Sequence, residues 1–314
     1  MDIERKVLAF HYAWYGVPWG PGKQWQGWKD EAHNSDKIVG GRRNIKSPHY
    51  PLDGVYDSLD TSVIKKQLIE AKEANLDGFI VSWWGFESYS HKVLEAMMNL
   101  APRNFITIYY ETAMTFKQRD LSRENAIERI YLDLKKMLAE QGTKEQWIHV
   151  DGKPLVVLYI VENYRVDEWL VIKRKLSDDG FEPFLLGDTY NVEYLDVMDG
   201  LHTYNPVWIT LCGLSFTEIF DKTSLRIHDK DRLFAATVCP GYDDRKVRDP
   251  GIFISRADGH YYNLCWEAAK KSKADWVLVT SWNEWFEGTE IEPSLEYGKD
   301  YIYITRQNTM SFKS

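Results

Sequence analysis

The chain has 314 residues, a formal net charge of −8, 44% hydrophobic residues and 27% charged residues, a composition typical of a globular protein with a sizeable core. The negative charge argues against nucleic acid as a partner, because its phosphates would require a basic face. No low-complexity tract or linker rich in Pro, Gly or Ser divides the chain, so we expect one domain over residues 1–314.

The beginning of the chain contains no recognisable targeting segment. Its first apolar run, residues 7–12, is too short for a signal-peptide core or a membrane span. We therefore expect a cytoplasmic protein with no membrane partner. The three cysteines, Cys212, Cys239 and Cys265, do not suggest a disulfide framework. Because the sequence has no HxxxH, H-x-E or CxxC arrangement, we expect no metal and no other cofactor.

Short apolar runs alternate with amphipathic stretches along the whole chain. Strands are predicted at residues 7–12, 78–83, 105–110, 154–159, 184–187, 200–203, 234–239 and 276–280. Helices are predicted at residues 61–75, 91–101, 123–141, 166–177, 261–272 and 300–310. The fifth and sixth units give the weakest patterns.

Several of these strands are almost continuously apolar, as parallel strands covered on both faces are. Eight strand–helix alternations predict an α/β fold, a single (β/α)8 TIM barrel with long aromatic-rich loops at its C-terminal face. A Rossmann-type sheet is excluded, because no glycine-rich phosphate turn follows the first strand.

Reacting groups of TIM barrels lie at the carboxyl ends of the strands and in the loops that follow. In this chain those positions are rich in aromatic and polar residues, including Tyr12, Trp14, Trp84, Glu111, Tyr204 and Tyr242. Any one of these aromatic rings could serve barrel-end packing alone. As a set they indicate a carbohydrate-binding cleft, because rings stack on sugar faces while polar groups bind the hydroxyls.

The most informative stretch follows the eighth strand, where residues 281–288 read Ser-Trp-Asn-Glu-Trp-Phe-Glu-Gly. Glu284 and Glu287 are three residues apart, so their carboxylates can face one space. Glycoside cleavage uses such a pair, and mutual repulsion raises one pKa so that one group can act as the acid. The aromatic neighbours exclude an ordinary solvated helix face. We predict Glu284 and Glu287 as catalytic residues, with Asn283 and Trp285 lining the same site.

Residues 280–293 resemble the strand-eight signature of glycoside hydrolase family 99, the endo-α-1,2-mannosidases, and of their relatives from bacterial polysaccharide loci. Further motifs of the same family are similar in chain order, at residues 10–16, 49–56, 78–84, 199–204, 240–245 and 256–262. The resemblance therefore covers nearly the whole chain.

The resemblance implies cleavage of α-linked, mannose- or glucose-containing oligosaccharides or polysaccharides with retention of configuration. In this family one glutamate removes the proton from the sugar 2-hydroxyl, which attacks the anomeric carbon to give a 1,2-anhydro sugar. By motif position Glu284 would assist the 2-hydroxyl, and Glu287 would be the acid and then the base. The resemblance also implies substrate-binding roles for Trp84, Glu111, Tyr204 and Arg256.

Two positions depart from the family pattern. Phe286 stands where the mannosidases usually carry His, and Thr112 follows Glu111 where Pro is expected. Sugar, linkage, and exo or endo action therefore stay open. Two other functions also stay open: a glycan-transferring or accessory enzyme of cell-surface polysaccharide biosynthesis, and a non-catalytic sugar-binding barrel.

Overall fold

The computed structural model describes residues 4–113 and 121–314, and eight parallel strands among them close into a barrel. The strands are β1 (Lys6–His11), β2 (Gly78–Trp83), β3 (Ile106–Tyr110), β4 (Lys153–Leu158), β5 (Phe184–Asp188), β6 (Gly200–His202), β7 (Leu233–Val238) and β8 (Trp276–Val279). Each pairs with the next, and β8 returns to β1 with Trp276 opposite Lys6. The predicted TIM barrel is confirmed.

Helices cover the outside of the barrel in chain order. They are α1 (Thr61–Glu73), α2 (Tyr89–Met98), α3 (Arg123–Glu140), α4 (Val166–Asp178), α5 (Val207–Leu211), α6 (Phe216–His228), α7 (His260–Lys271) and α8 (Asp300–Lys313). Several begin at a side-chain cap; Asp60, for example, accepts a hydrogen bond from the backbone N–H of Ser62 at 2.8 Å. The six predicted helices are confirmed, with ends that differ by a few residues.

The weak fifth and sixth units differ from a regular strand–helix repeat. A short 3-10 segment, Val192–Asp196, follows β5, because only eleven residues separate β5 from β6. Two helices, α5 and α6, follow β6 and were not predicted. The signal for α6 is the apolar period of Phe216, Phe220 and Ile227, of which Phe220 and Ile227 are buried.

Alternate residues of the strands build two core layers. Along β1, Leu8 and Phe10 belong to the cluster inside the barrel, whereas Val7 and Ala9 belong to the layer between the barrel and the helices. The aromatic ring of Trp276 stacks on that of Phe184, with 6.3 Å between centroids, at the end where these two strands begin. Side chains thus fill the barrel, which leaves the carboxyl ends of the strands for a cleft.

Long loops rise at that C-terminal face. The loop after β1 carries a small hairpin of Ile38–Val39 and Arg42–Arg43, and the loop after β7 pairs Tyr242–Asp243 with Phe253–Ile254. None of the helices in the described part of the chain is long and apolar enough to span a membrane. Residues 1–3, which entered the localisation prediction, lie outside the described residues.

Candidate active site

Glu284 and Glu287 lie on the loop that follows β8, which the fold holds tightly from two sides. The Ser281 hydroxyl accepts the backbone N–H of Glu284 at 2.7 Å, and the backbone N–H of Ser281 donates to the carbonyl of Thr289 at 2.9 Å. From the loop after β7, the N–H of Asp243 donates to the Glu287 carbonyl at 2.7 Å. These hydrogen bonds fix the loop and therefore the positions of both glutamates, as reactive side chains require.

Glu284 is the more enclosed of the two carboxylates. It is 4% exposed, and its Oε1 accepts one hydrogen bond, from the backbone N–H of Phe286 at 3.3 Å. Burial raises its pKa well above the usual range, and the neighbouring charge of Glu287 raises it further. Glu284 can therefore hold a proton at neutral pH until its surroundings change.

Glu287 has a charged partner. Its Oε1 accepts a hydrogen bond from Arg248 Nη2 at 2.9 Å, while its Oε2 is buried without a hydrogen-bond partner among the described residues. Burial raises the pKa of Glu287, and the Arg248 guanidinium opposes that rise. Arg248 was not predicted from the sequence.

Aromatic side chains form the wall of the cleft beside the two carboxylates. The ring centroid of Trp14 lies 4.5 Å from that of Tyr12 and 5.6 Å from that of Trp84. Trp14 also stacks on Phe286 at 5.7 Å, with 10° between the ring planes. Trp14, Trp84 and Phe286 are half-buried, so part of each ring is open to a ligand. Phe286 joins the site beside the predicted Tyr12, Trp14 and Trp84.

Tyr204 approaches the same space from β6. Its ring lies 6.3 Å from that of Tyr12 in an edge-on arrangement. Burial raises the pKa of both phenols, and the charges of Glu284 and Glu287 add to it. Both hydroxyls therefore stay protonated and can donate hydrogen bonds at neutral pH.

Glu111 and Trp84 meet at the hydroxyl of Ser82. The Ser82 hydroxyl donates to Glu111 Oε1 at 2.7 Å and accepts from Trp84 Nε1 at 2.8 Å. Burial raises the pKa of Glu111 to about 8, although the Ser82 hydrogen bond opposes the shift. The charge of Glu111 also contributes to the raised pKa of Glu284.

Asp188, the last residue of β5, is a site residue that sequence reasoning missed. It accepts hydrogen bonds from the Tyr109 hydroxyl at 3.1 Å and from the backbone N–H of Tyr204 at 3.1 Å. Burial raises its pKa to about 6. Asp188 lines a cavity of about 380 Å³ with Tyr204 and with Tyr159, Glu162, Tyr190 and Trp208. A carboxylate at the end of a strand is the sequence feature that indicates Asp188. The weak pattern of the fifth unit concealed it.

Asn283 and Trp285, predicted as substrate contacts, lie behind the cleft surface instead. Both side chains are 0% exposed. The Asn283 amide accepts the backbone N–H of Tyr12 at 2.6 Å and donates to the Tyr12 carbonyl at 3.0 Å. Trp285 Nε1 donates to the Tyr56 hydroxyl at 3.1 Å. The described contacts of Asn283 and Trp285 therefore position the loop, and their direct contact with sugar stays a prediction.

Arg256 also supports the loop from behind. Its Nη2 donates to the carbonyl of Gly288 at 3.0 Å and to Oε1 of Glu290 at 2.7 Å, and its side chain is 5% exposed. The guanidinium lies over the rings of Tyr297 and Tyr301, 4.4 Å from each centroid. The described contacts of Arg256 are therefore those of a cation that supports the loop, and its contact with substrate stays a prediction.

Tyr242 reaches Glu287 from the loop after β7. Its hydroxyl donates to Asp244 Oδ2 at 3.0 Å and accepts from Arg248 Nη1 at 2.7 Å. The charge of Glu287 contributes to the raised pKa of this buried phenol, which is consistent with the predicted position in the site. Within residues 4–113 and 121–314, no three His, Cys, Asp or Glu side chains form a cluster that could hold a metal ion.

Comparison with known proteins shows which family the chain resembles. The family model described as Glycosyl hydrolase family 99 matches residues 2–310. The chain is 25% identical over 317 residues to the glycoprotein endo-alpha-1,2-mannosidase of Rattus norvegicus, covering 92% of this chain and 68% of that protein. It is 26% identical over 328 residues to the glycoprotein endo-alpha-1,2-mannosidase-like protein of Homo sapiens, covering 94% and 70%.

Solved structures show the same fold. The GH99 endo-alpha-mannosidase of Bacteroides thetaiotaomicron superposes with a TM-score of 0.78 at 21% identity, over 98% of this chain and 97% of that one. A glycoside hydrolase-like protein superposes with a TM-score of 0.69 at 14% identity, over 98% and 94%. These likenesses extend over the barrel and its long loops together.

Proposed function

The chain belongs to glycosyl hydrolase family 99, and from this premise we propose that it hydrolyses α-linked, mannose-containing glycans with retention of configuration. One observation carries the proposal: Glu284 and Glu287 share one loop at the carboxyl end of β8, beside a wall of half-buried aromatic rings. The mannosidase names of the relatives favour mannose over glucose as the sugar that is cleaved.

The two glutamates have distinct roles in this proposal. The Glu284 carboxylate accepts the proton of the sugar 2-hydroxyl, and that oxygen attacks the anomeric carbon as the bond to the leaving oxygen breaks. Glu287 gives its proton to the leaving oxygen. The product of this step is a 1,2-anhydro sugar. Glu287 then takes a proton from water, which attacks the anomeric carbon, and the 2-oxygen recovers its proton from Glu284.

The remaining residues of the cleft bind and orient the sugar. Trp14, Trp84 and Phe286 offer apolar ring faces. The neutral hydroxyls of Tyr12 and Tyr204 supply donors close to the carboxylates. Glu111, whose pKa is raised to about 8, supplies a protonated carboxyl that can donate as well as accept. Tyr242 borders Glu287 on the side of the loop after β7.

A trapping experiment tests the role of Glu284. An ordinary carboxylate nucleophile would form a stable glycosyl adduct with a 2-deoxy-2-fluoro glycoside that carries a good leaving group. We expect no adduct, because the fluorinated sugar lacks the hydroxyl that attacks. A 1,2-anhydro sugar should instead be hydrolysed as a substrate. A glycosyl mass on the peptide that contains Glu284, in mass spectrometry of the treated protein, would contradict the proposal.

Defined α-linked mannose- and glucose-containing oligosaccharides test the substrate and the reaction. We expect release of a reducing sugar whose first-formed anomer is α, as followed by NMR. Products longer than the substrate in the presence of an acceptor sugar would favour glycan transfer over hydrolysis. A control with Glu284→Gln excludes a contaminating glycosidase.

A further inference from the structure

Arg248 is held in place by groups other than Glu287. Its Nη1 donates to Asp244 Oδ2 at 2.6 Å and to the Tyr242 hydroxyl at 2.7 Å, while its Nη2 donates to Glu287 Oε1 at 2.9 Å. Asp244 is itself fixed, because its Oδ1 accepts the backbone N–H of Ile252 at 2.6 Å. The Arg248 side chain is 52% exposed, so it has room to move toward solvent.

The two catalytic carboxylates therefore have unequal surroundings. Glu287 contacts a guanidinium, whereas Glu284 is 4% exposed and accepts one hydrogen bond from a backbone N–H. When two close carboxyl groups share one proton, the proton resides on the group whose charge is less stabilised. In this arrangement the proton belongs on Glu284 and the negative charge on Glu287.

The proposed reaction needs the opposite distribution. Glu284 must be ionised to accept a proton from the 2-hydroxyl, and Glu287 must be protonated to give one to the leaving oxygen. We propose that Arg248 is a latch on Glu287, which holds this carboxylate ionised in the free enzyme and releases it when sugar enters the cleft. The proposal rests on the roles of Glu284 and Glu287 given under the proposed function.

The number of protons on Glu284 and Glu287 together does not change when Arg248 releases Glu287. One proton leaves Glu284 and one arrives on Glu287, while Arg248 keeps its ion pair with Asp244. Arg248 is thus a positioning residue: it acts on the chemistry through Glu287.

Among the other groups that face Glu287, the Tyr242 hydroxyl also lowers its pKa, but it carries no positive charge. The charge of Glu287 raises the pKa of four phenols, which follow β1, β4 and β6 or lie in the loop after β7: Tyr12, Tyr159, Tyr204 and Tyr242. Burial keeps all four neutral. The carboxylates of Glu284 and Asp244 carry the wrong sign. In the described part of the chain, Arg248 is the cation that makes an ion pair with Glu287.

The test compares Arg248→Gln with Arg245→Gln. Arg245 lies on the same loop and carries the same charge, but it pairs with Asp243 and is 56% exposed. For Arg248→Gln we expect both limbs of the pH profile of kcat/KM to move upward, the alkaline limb by about one pH unit or more. For Arg245→Gln we expect a shift below about 0.3 unit, as for an exposed charge. Arg248→Lys, which keeps the charge, should give an intermediate shift.

A second readout does not depend on activity. Carboxyl ¹³C NMR of the free protein, assigned with Glu284→Gln and Glu287→Gln, follows the titration of each glutamate directly. We expect Arg248→Gln to raise the titration midpoint of Glu287, with Arg245→Gln unchanged. Equal profiles and midpoints for wild type and Arg248→Gln would overturn the latch. Absence of glycosidase activity in the wild type would instead count against the proposed function, and the NMR titration would still decide the latch.

Discussion

The loop after β8 contains five glutamates, and the four within residues 284–292 form two pairs with different surroundings. Glu284 and Glu287 form a front pair that faces the cleft, with few side-chain donors around them. Glu290 and Glu292 form a rear pair that faces the body of the protein. All four occur within residues 284–292, so distance along the chain does not distinguish them.

The rear pair is surrounded by side-chain partners. Glu290 Oε1 accepts hydrogen bonds from Arg256 at 2.7 Å and from His49 Nδ1 at 2.8 Å. The Arg256 guanidinium and the contact with His49 hold the pKa of Glu290 below its usual range against the effect of burial. Glu292 accepts from the Tyr56 hydroxyl and from Gln67 Nε2, both at 2.7 Å.

The hydrogen-bond partners of the four carboxylates distinguish the rear pair, which holds the loop, from the front pair, which faces the cleft. A carboxylate that several protein donors bind is committed to holding the loop, since removing any partner leaves a buried group unpaired. Protein donors occupy little of the hydrogen-bonding capacity of the front pair, as the proposed proton exchange with a sugar requires. Four substitutions, two for each pair, test this distinction.

Glu284→Gln should have the largest effect. An amide cannot accept the 2-hydroxyl proton, so we expect kcat/KM to fall by about 10⁴-fold. Natural glycosides and activated aryl glycosides should lose activity alike, because the missing step does not depend on the leaving group. Steady-state kinetics on both substrates checks this, with the unfolding midpoint close to that of the wild type. Retention of aryl glycoside cleavage would place Glu284 outside the attack step.

Glu287→Gln should have a smaller and more selective effect. The amide has no proton to give to the leaving oxygen, so natural glycosides should lose about 10²–10³-fold in kcat/KM. Aryl glycosides with good leaving groups need less protonation and should lose much less. The ratio of the two losses is the measurement. Equal losses on both substrate types would mean that Glu287 is not the acid.

Arg256→Met tests the rear pair through stability. The substitution leaves Glu290 buried without its guanidinium, which should lower the free energy of unfolding by about 3 kcal/mol. Denaturant unfolding measures the loss. The double variant Arg256→Met with Glu290→Gln serves as the control and should recover part of it, because the unpaired charge is gone. No loss in the single variant would contradict a structural role for this ion pair.

Glu292→Gln should have the smallest effect, visible in its pH dependence. Burial raises the pKa of Glu292 from 4.5 to about 7. The folded protein therefore binds this proton more tightly than the unfolded chain, and wild-type stability contributed by Glu292 falls as the pH rises from about 4.5 to 7. Relative to wild type, the free energy of unfolding of Glu292→Gln should therefore increase by about 2 kcal/mol between pH 5 and pH 8. Unfolding curves at both values test this; a constant difference would refute it.

Much of the fold could be predicted from the sequence because the barrel depends on local patterns. Continuous apolar runs mark strands that are buried on both faces, and residues 276–280 therefore identified β8 and the loop behind it. Glu284 and Glu287 followed from their spacing within that one loop. Asp188 lies at a strand end as well, but the weak pattern of its unit concealed the position.

The partners of the site residues could not be predicted in the same way. Glu287 and Arg248 are 39 positions apart in the chain, on two irregular loops without a period. Which side of the loop Asn283 and Trp285 occupy depends on backbone hydrogen bonds that only the folded loop forms. Motif resemblance located Arg256 in the chain, but only its contacts with Gly288 and Glu290 reveal that it faces inward.

Glu284 and Glu287 stand on one loop rather than on two strands of the barrel, and this has a mechanical consequence. When adjacent strands of the barrel shift against each other, groups on different strands change their separation, whereas Glu284 and Glu287 move together as one body. Because a displacement of about 1 Å can cost an enzyme about 10²-fold in rate, a pair of groups on one loop is protected against changes in the separation of two strands.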